Sequence, residues 1–84
     1  LVTGFLGGLS KKLGKDNIKI NSIDPGILNG GISEYLDKKS VQDYLKHSSL
    51  KRLGTPIEVA NTAKWIAISN SYITGQSFLL DGGL

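Results

Sequence analysis

The residues of this chain with the clearest chemical potential are glycines. Gly4, Gly7 and Gly8 stand together in Leu1-Val2-Thr3-Gly4-Phe5-Leu6-Gly7-Gly8-Leu9-Ser10, and glycines let backbone amides approach a phosphate at a helix N-terminus, although Ser10 stands where a third spaced glycine would complete such a turn. Lys11, Lys12, Lys15 and Lys19 follow and would suit an anionic ligand. Asp16 sits among them and the remaining cations are scattered, so a solvated helix face is the expectation and nucleic acid is not an expected partner. His47 is the single histidine and lies in a polar stretch, so it is expected to face solvent. With no cysteine there is neither a disulfide framework nor a thiolate metal site, and His47 and the scattered carboxylates do not converge by spacing on a metal.

These groups need elements to hold them. The 84 residues suit one small domain, and their 39% hydrophobic and 20% charged residues exclude a disordered or fibrous chain. No apolar run approaches the roughly 18 residues of a membrane span, no signal-peptide pattern opens the sequence, and the lack of cysteine fits a cytoplasmic setting. Phe5, Leu6, Leu9 and Leu13 recur at helical spacing, predicting a helix from Gly4 to about Lys15 that ends near Gly14. Ile18 to Ile23 reads as a short strand, stopped by Asp24-Pro25-Gly26 because proline cannot donate to a ladder.

Residues 27–52 form a polar segment with a turn at Asn29-Gly30-Gly31 and two short helical pieces, Ser33–Lys38 and Ser40–His47. Ser40 is the expected N-cap of the second, and the segment suits a lid over a site. Thr55-Pro56-Ile57-Glu58 is a capping box with proline at the first helical position. It opens a helix whose apolar face holds Val59, Ala60, Ala63, Ile66 and Ala67, with Trp65 beside it and its end near Asn70. Ser77-Phe78-Leu79-Leu80 is the second strand, stopped by Asp81-Gly82-Gly83. Two strands joined through a helix imply a parallel pair with a right-handed crossover. Such strands expect cover on both faces, so the chain reads as the edge of a larger α/β sheet.

Four stretches taken in order resemble the short-chain dehydrogenase/reductase family, in particular its 3-oxoacyl-[acyl-carrier-protein] reductase members. They are Gly8-Leu9-Ser10-Lys11-Lys12-Leu13, Ile18 through Gly26, Arg52-Leu53-Gly54-Thr55-Pro56-Ile57-Glu58-Val59-Ala60, and Tyr72-Ile73-Thr74-Gly75-Gln76 with Asp81-Gly82-Gly83. The resemblance implies that residues 1–84 are the C-terminal portion of a Rossmann-like, doubly wound α/β domain. It implies NAD or NADP as cofactor, hydride transfer to or from a small carbonyl or alcohol substrate, and a homo-oligomer, a tetramer or dimer. The loop after the Pro-Gly pair meets the nicotinamide in this family, which maps cofactor binding onto Pro25, Gly26, Ile27 and Leu28, with Leu28 giving a backbone contact to the carboxamide. Family members commonly carry a threonine four residues after that glycine, where this chain has Gly30.

The family's catalytic Tyr-x-x-x-Lys pair is not matched in its place: counting back from the first stretch, the lysine position falls on Thr3 and the tyrosine would precede Leu1. No catalytic residue is therefore assigned. Tyr35 and Lys39 have the same spacing but stand in the lid segment, where a chance pair on a polar helix is the plainer reading. The leading expectation is the nicotinamide-side loop, substrate lid and oligomer interface of a reductase. Two others stand beside it, an inactive interaction module and a nucleotide-binding remnant built on Thr3 to Ser10.

Overall fold

The computed structural model describes residues 2–30 and 34–84, so Leu1 and Gly31–Ser33, including the start of the first expected lid helix, lie outside the described residues. Helix α1 spans Val2–Gly14. Of its expected face, Leu6 is buried, Leu9 and Leu13 are half-buried and Phe5 is exposed. The chain leaves the helix through Asn17, whose φ of 58° suits asparagine, while the Ile18 amide returns to the Leu13 carbonyl at 3.0 Å.

Strands β1 (Ser22–Pro25) and β2 (Ser77–Leu80) pair in parallel, with Ser22 opposite Ser77 and Pro25 opposite Leu80. The expected strand at Ile18–Ile23 is thus displaced toward its C-terminus, and Pro25 belongs to it. The reason lies in the alternation of the ladder. The amides of Ser22 and Gly26 donate to Gln76 and Leu80, at 2.9 and 2.8 Å. Pro25, out of phase with them, turns its nitrogen to the opposite edge, where a missing N–H breaks no bond with β2. Ile18 and Lys19 stay outside the ladder, and Ile20 is held by the Thr74 hydroxyl and the Gly75 amide.

The segment after β1 carries a 3₁₀ turn at residues 34–35 and helix α2, Lys38–His47. Its N-cap is Asp37 rather than Ser40: the Asp37 carboxylate accepts from the Ser40 amide at 2.6 Å. That bond also holds the Asp37 carboxyl below the usual carboxylate range. Helix α3, Pro56–Lys64, opens on the expected capping box and continues into a π-helical turn, Trp65–Ser69, with Asn70 as its C-cap. Asn70 is buried and folds the following turn around itself, accepting from the Tyr72 and Ile73 amides and donating to the Ile73 carbonyl.

The parallel strand pair confirms an α/β architecture, and its uncovered side is plain. A groove of about 600 Å³ runs between the stretch from Asn17 to Ile23 and Ala63, Ile66 and Ala67. Trp65, Ile68 and Leu79 are also exposed. The radius of gyration, 15.2 Å, exceeds the roughly 12 Å of a compact chain of this length. A single parallel pair cannot cover both of its faces.

Candidate functional site

The C-terminal ends of parallel strands are where open α/β sheets place ligands, and here both ends meet. Gly26 is joined to the end of β2 by its bond to Leu80. Beyond it, Leu28 forms an isolated parallel bridge with Gly54. The Gly54 amide donates to the Ile27 carbonyl at 3.1 Å, and the Asn29 amide donates to the Gly54 carbonyl at 2.7 Å. This bridge closes the base of the segment between β1 and α3. It also fixes what Leu28 offers: its neighbours take the bonds to Gly54, so its own N–H and C=O point to the other edge.

Glycine is required at 26 by close approach. A Cβ there would lie 2.9 Å from Cζ and 3.0 Å from Cε2 of Tyr44, and nearer still to the hydroxyl oxygen. At 30 the requirement is conformational. With φ at 84°, a β-branched side chain would be strained there.

Leu28 also lines a cavity of about 220 Å³, together with Tyr44, Leu50, Arg52, Glu58 and Leu80. Pro25, Gly26 and Ile27 do not line it. The charged groups at this cavity are committed to each other. Arg52 holds Glu58 through two parallel bonds, Nη1 to Oε1 at 2.8 Å and Nη2 to Oε2 at 2.7 Å. With the Thr55 amide and hydroxyl also donating to Oε1, the Glu58 carboxyl falls to about 2, the Arg52 bond being the largest cause.

The other sequence candidates separate clearly. Residues 2–14 form one continuous helix, so Gly4, Gly7 and Gly8 sit within it and do not shape a phosphate-binding turn. A Cβ on any of the three would meet nothing within 4 Å among the described residues. Tyr35 lies in the 3₁₀ turn and Lys39 in α2, and Tyr35 is 87% exposed, so they do not share a helix. His47 is exposed, with Nδ1 on the Asp43 carbonyl at 2.8 Å. No group of three or more His, Cys, Asp or Glu that could hold a metal occurs among the described residues.

Tyr44 and Ser48 are the residues that sequence reasoning missed. Both are buried, and Tyr44 donates its hydroxyl to the Asp81 carbonyl at 2.9 Å. The signal was the spacing of Val41, Tyr44, Leu45 and Ser48, one face of α2 at positions i, i+3, i+4 and i+7.

Comparison with known proteins identifies this architecture. The profile of the family described as Enoyl-(Acyl carrier protein) reductase matches residues 2–84. The 3-oxoacyl-[acyl-carrier-protein] reductase FabG of Chlamydia muridarum is 39% identical over 84 residues, 99% of this chain and 34% of its own length. MabA of Mycobacterium bovis, also a 3-oxoacyl-[acyl-carrier-protein] reductase, is 33% identical with the same coverage. Among solved structures, a 3-oxoacyl-[acyl-carrier protein] reductase from Brucella melitensis superposes with a TM-score of 0.89 at 31% identity, over 99% of this chain and 31% of that one. A structure of such a reductase from the same organism, with bound NAD, gives 0.83 at 31% identity, covering 30% of that chain. The chain belongs to the short-chain dehydrogenase/reductase family. It is a FabG-like segment that spans about a third of the length of the curated relatives it matches.

Proposed function

We propose that this chain is the C-terminal segment of an NAD(P)-dependent reductase acting on a 3-oxoacyl thioester or a similar small carbonyl compound. In that reading Pro25, Gly26, Ile27 and Leu28 form the nicotinamide-side loop, residues 27–52 the substrate lid, and the exposed apolar faces the contacts of a homo-oligomer. The observation that carries it is Leu28. Its amide and carbonyl face away from Gly54 at the C-terminal ends of the strands, one donor and one acceptor in the arrangement a primary carboxamide pairs with. The cofactor, when bound, supplies hydride. The protein residues here hold its ring in place and cover the substrate, excluding water from the reacting carbon. Fluorescence titration of the intact protein with NADH and NADPH tests this reading: saturable binding weakened by Leu28→Pro, which removes the amide, is expected. Absence of saturable binding by the unaltered protein would refute it.

A further inference from the structure

Tyr44 occupies an unusual place for a residue of a surface helix. Its ring is buried at the junction of the two strand ends, with the hydroxyl end of the side chain both packed closest to Gly26 and donating to the Asp81 carbonyl. It is the aromatic side chain of α2, and among the described residues it and Leu6 are the apolar side chains that are buried. The chain just beyond α2 is fastened to the same place. The Ser49 amide and hydroxyl donate to the Gly83 carbonyl, and the Leu50 amide to the Gly82 carbonyl.

We propose that Tyr44 is a positioning residue: wedged over Gly26 and tied to Asp81, it docks α2 on the strand ends and sets the turn from Gly26 to Leu28. This rests on the nicotinamide-side reading of that turn for its functional consequence, but the docking itself does not. The geometry makes a reciprocal demand. Glycine at 26 is needed only because the tyrosine ring is there, since Gly26 is not among the residues with positive φ. A methyl group at 26 must therefore displace either the ring, and α2 with it, or the turn.

The test is a double-mutant cycle in the intact protein with Gly26→Ala, Tyr44→Leu and both together. Tyr44→Leu keeps an apolar side chain of moderate size in the core, and Tyr44→Phe removes the hydroxyl alone, and with it both the Asp81 bond and the atom nearest Gly26. Two readouts are taken, the Kd for NADH or NADPH by fluorescence and hydrogen exchange of the α2 amides. Gly26→Ala is expected to weaken dinucleotide binding by about tenfold, the factor that corresponds to roughly 1.4 kcal/mol, and to speed exchange in α2. Adding Tyr44→Leu is expected to recover most of the binding lost to Gly26→Ala. Penalties that simply multiply, in both binding and exchange, would overturn the proposal. Should the unaltered protein bind neither dinucleotide, the nicotinamide reading fails, and the exchange data alone decide whether Tyr44 docks α2 against Gly26.

Discussion

Asn21 immediately precedes β1, and its amide spans the gap to the turn that leads into β2. Its Nδ2 donates to the Ile73 carbonyl at 3.1 Å, and its Oδ1 accepts from the Gln76 amide at 3.0 Å. Asn21→Ala removes both bonds. At a net worth of about 0.5–1.5 kcal/mol each, the loss lies between about 1 and 3 kcal/mol. Two details place it in the lower half of that range. The Ile73 carbonyl keeps its 2.7 Å bond from Asn70, and Gln76 is exposed, so its freed amide turns to water. The expected cost is therefore about 1–2 kcal/mol, read as a lower denaturation midpoint with an unchanged m value. Asn21→Asp sharpens the reasoning. It keeps the acceptor for Gln76 but, when ionised, sets a carboxylate against the Ile73 carbonyl. Protonation restores a donor, so the folded state raises this carboxyl's pKa above its unfolded value. The recovered stability is then present in acid and lost as pH rises through the folded pKa. The variant should approach the parent at low pH and depart from it at neutral pH. Urea titrations of parent and both variants at two pH values measure this. An Asn21→Ala effect within about 0.5 kcal/mol of zero would refute the argument, as would an Asn21→Asp penalty that does not change with pH.

Three further outcomes follow from the local geometry. Glu58 is depressed from 4.5 to about 2, so the stability it adds is present above 4.5 and lost as pH falls toward 2. Glu58→Gln should flatten that part of the acid titration, and high salt should weaken it because the pair with Arg52 is exposed. Thr55→Ala deletes the hydroxyl that accepts from the Glu58 amide and should cost about 1 kcal/mol by chemical denaturation, with Thr55→Ser recovering most of it. Gly75 has φ of 75°, and a Cβ there would lie 2.6 Å from Oγ and 3.1 Å from Cβ of Ser10 on α1. Gly75→Ala should cost on the order of 1–3 kcal/mol from backbone strain alone, and Ser10→Gly in the same chain should recover only the steric share.

What could be read from the sequence was what is decided within a few residues. The capping box at Thr55 requires nothing beyond Glu58, and it formed as expected. Asp37 and Ser40 show the limit of the same reasoning: each is an acceptable cap, and the choice depends on where the chain enters α2 from the preceding turn. The start of β1 was illegible for a different reason. Ile18 to Ile20 has the composition of a strand, but a ladder begins only where a partner does, and the partner begins at Ser77. Pro25 looked like a stop because the edge it would face is set by register, which no local pattern reveals. The burial of Tyr44 depends likewise on Gly26 and Asp81, 18 residues before it and 37 after it in the sequence.

The parallel register also governs how this segment comes to be ordered. The hydroxyls of Ser22 and Ser77, which meet at 2.9 Å across the strands, are 55 positions apart. Joining chain ends at that separation has a length-dependent entropic cost of about 3.5 kcal/mol, due before any contact of the pair is made. The helices form over a few neighbours and can appear early, whereas β1 gains its partner in this segment only when β2 exists. At about 5–20 residues per second of synthesis, that interval is roughly 3–11 s. Over that time Ile20 and Ile23 have no β2 beside them, so a nascent chain carrying this segment is most exposed to association with its neighbours in the interval before β2 becomes free to pair.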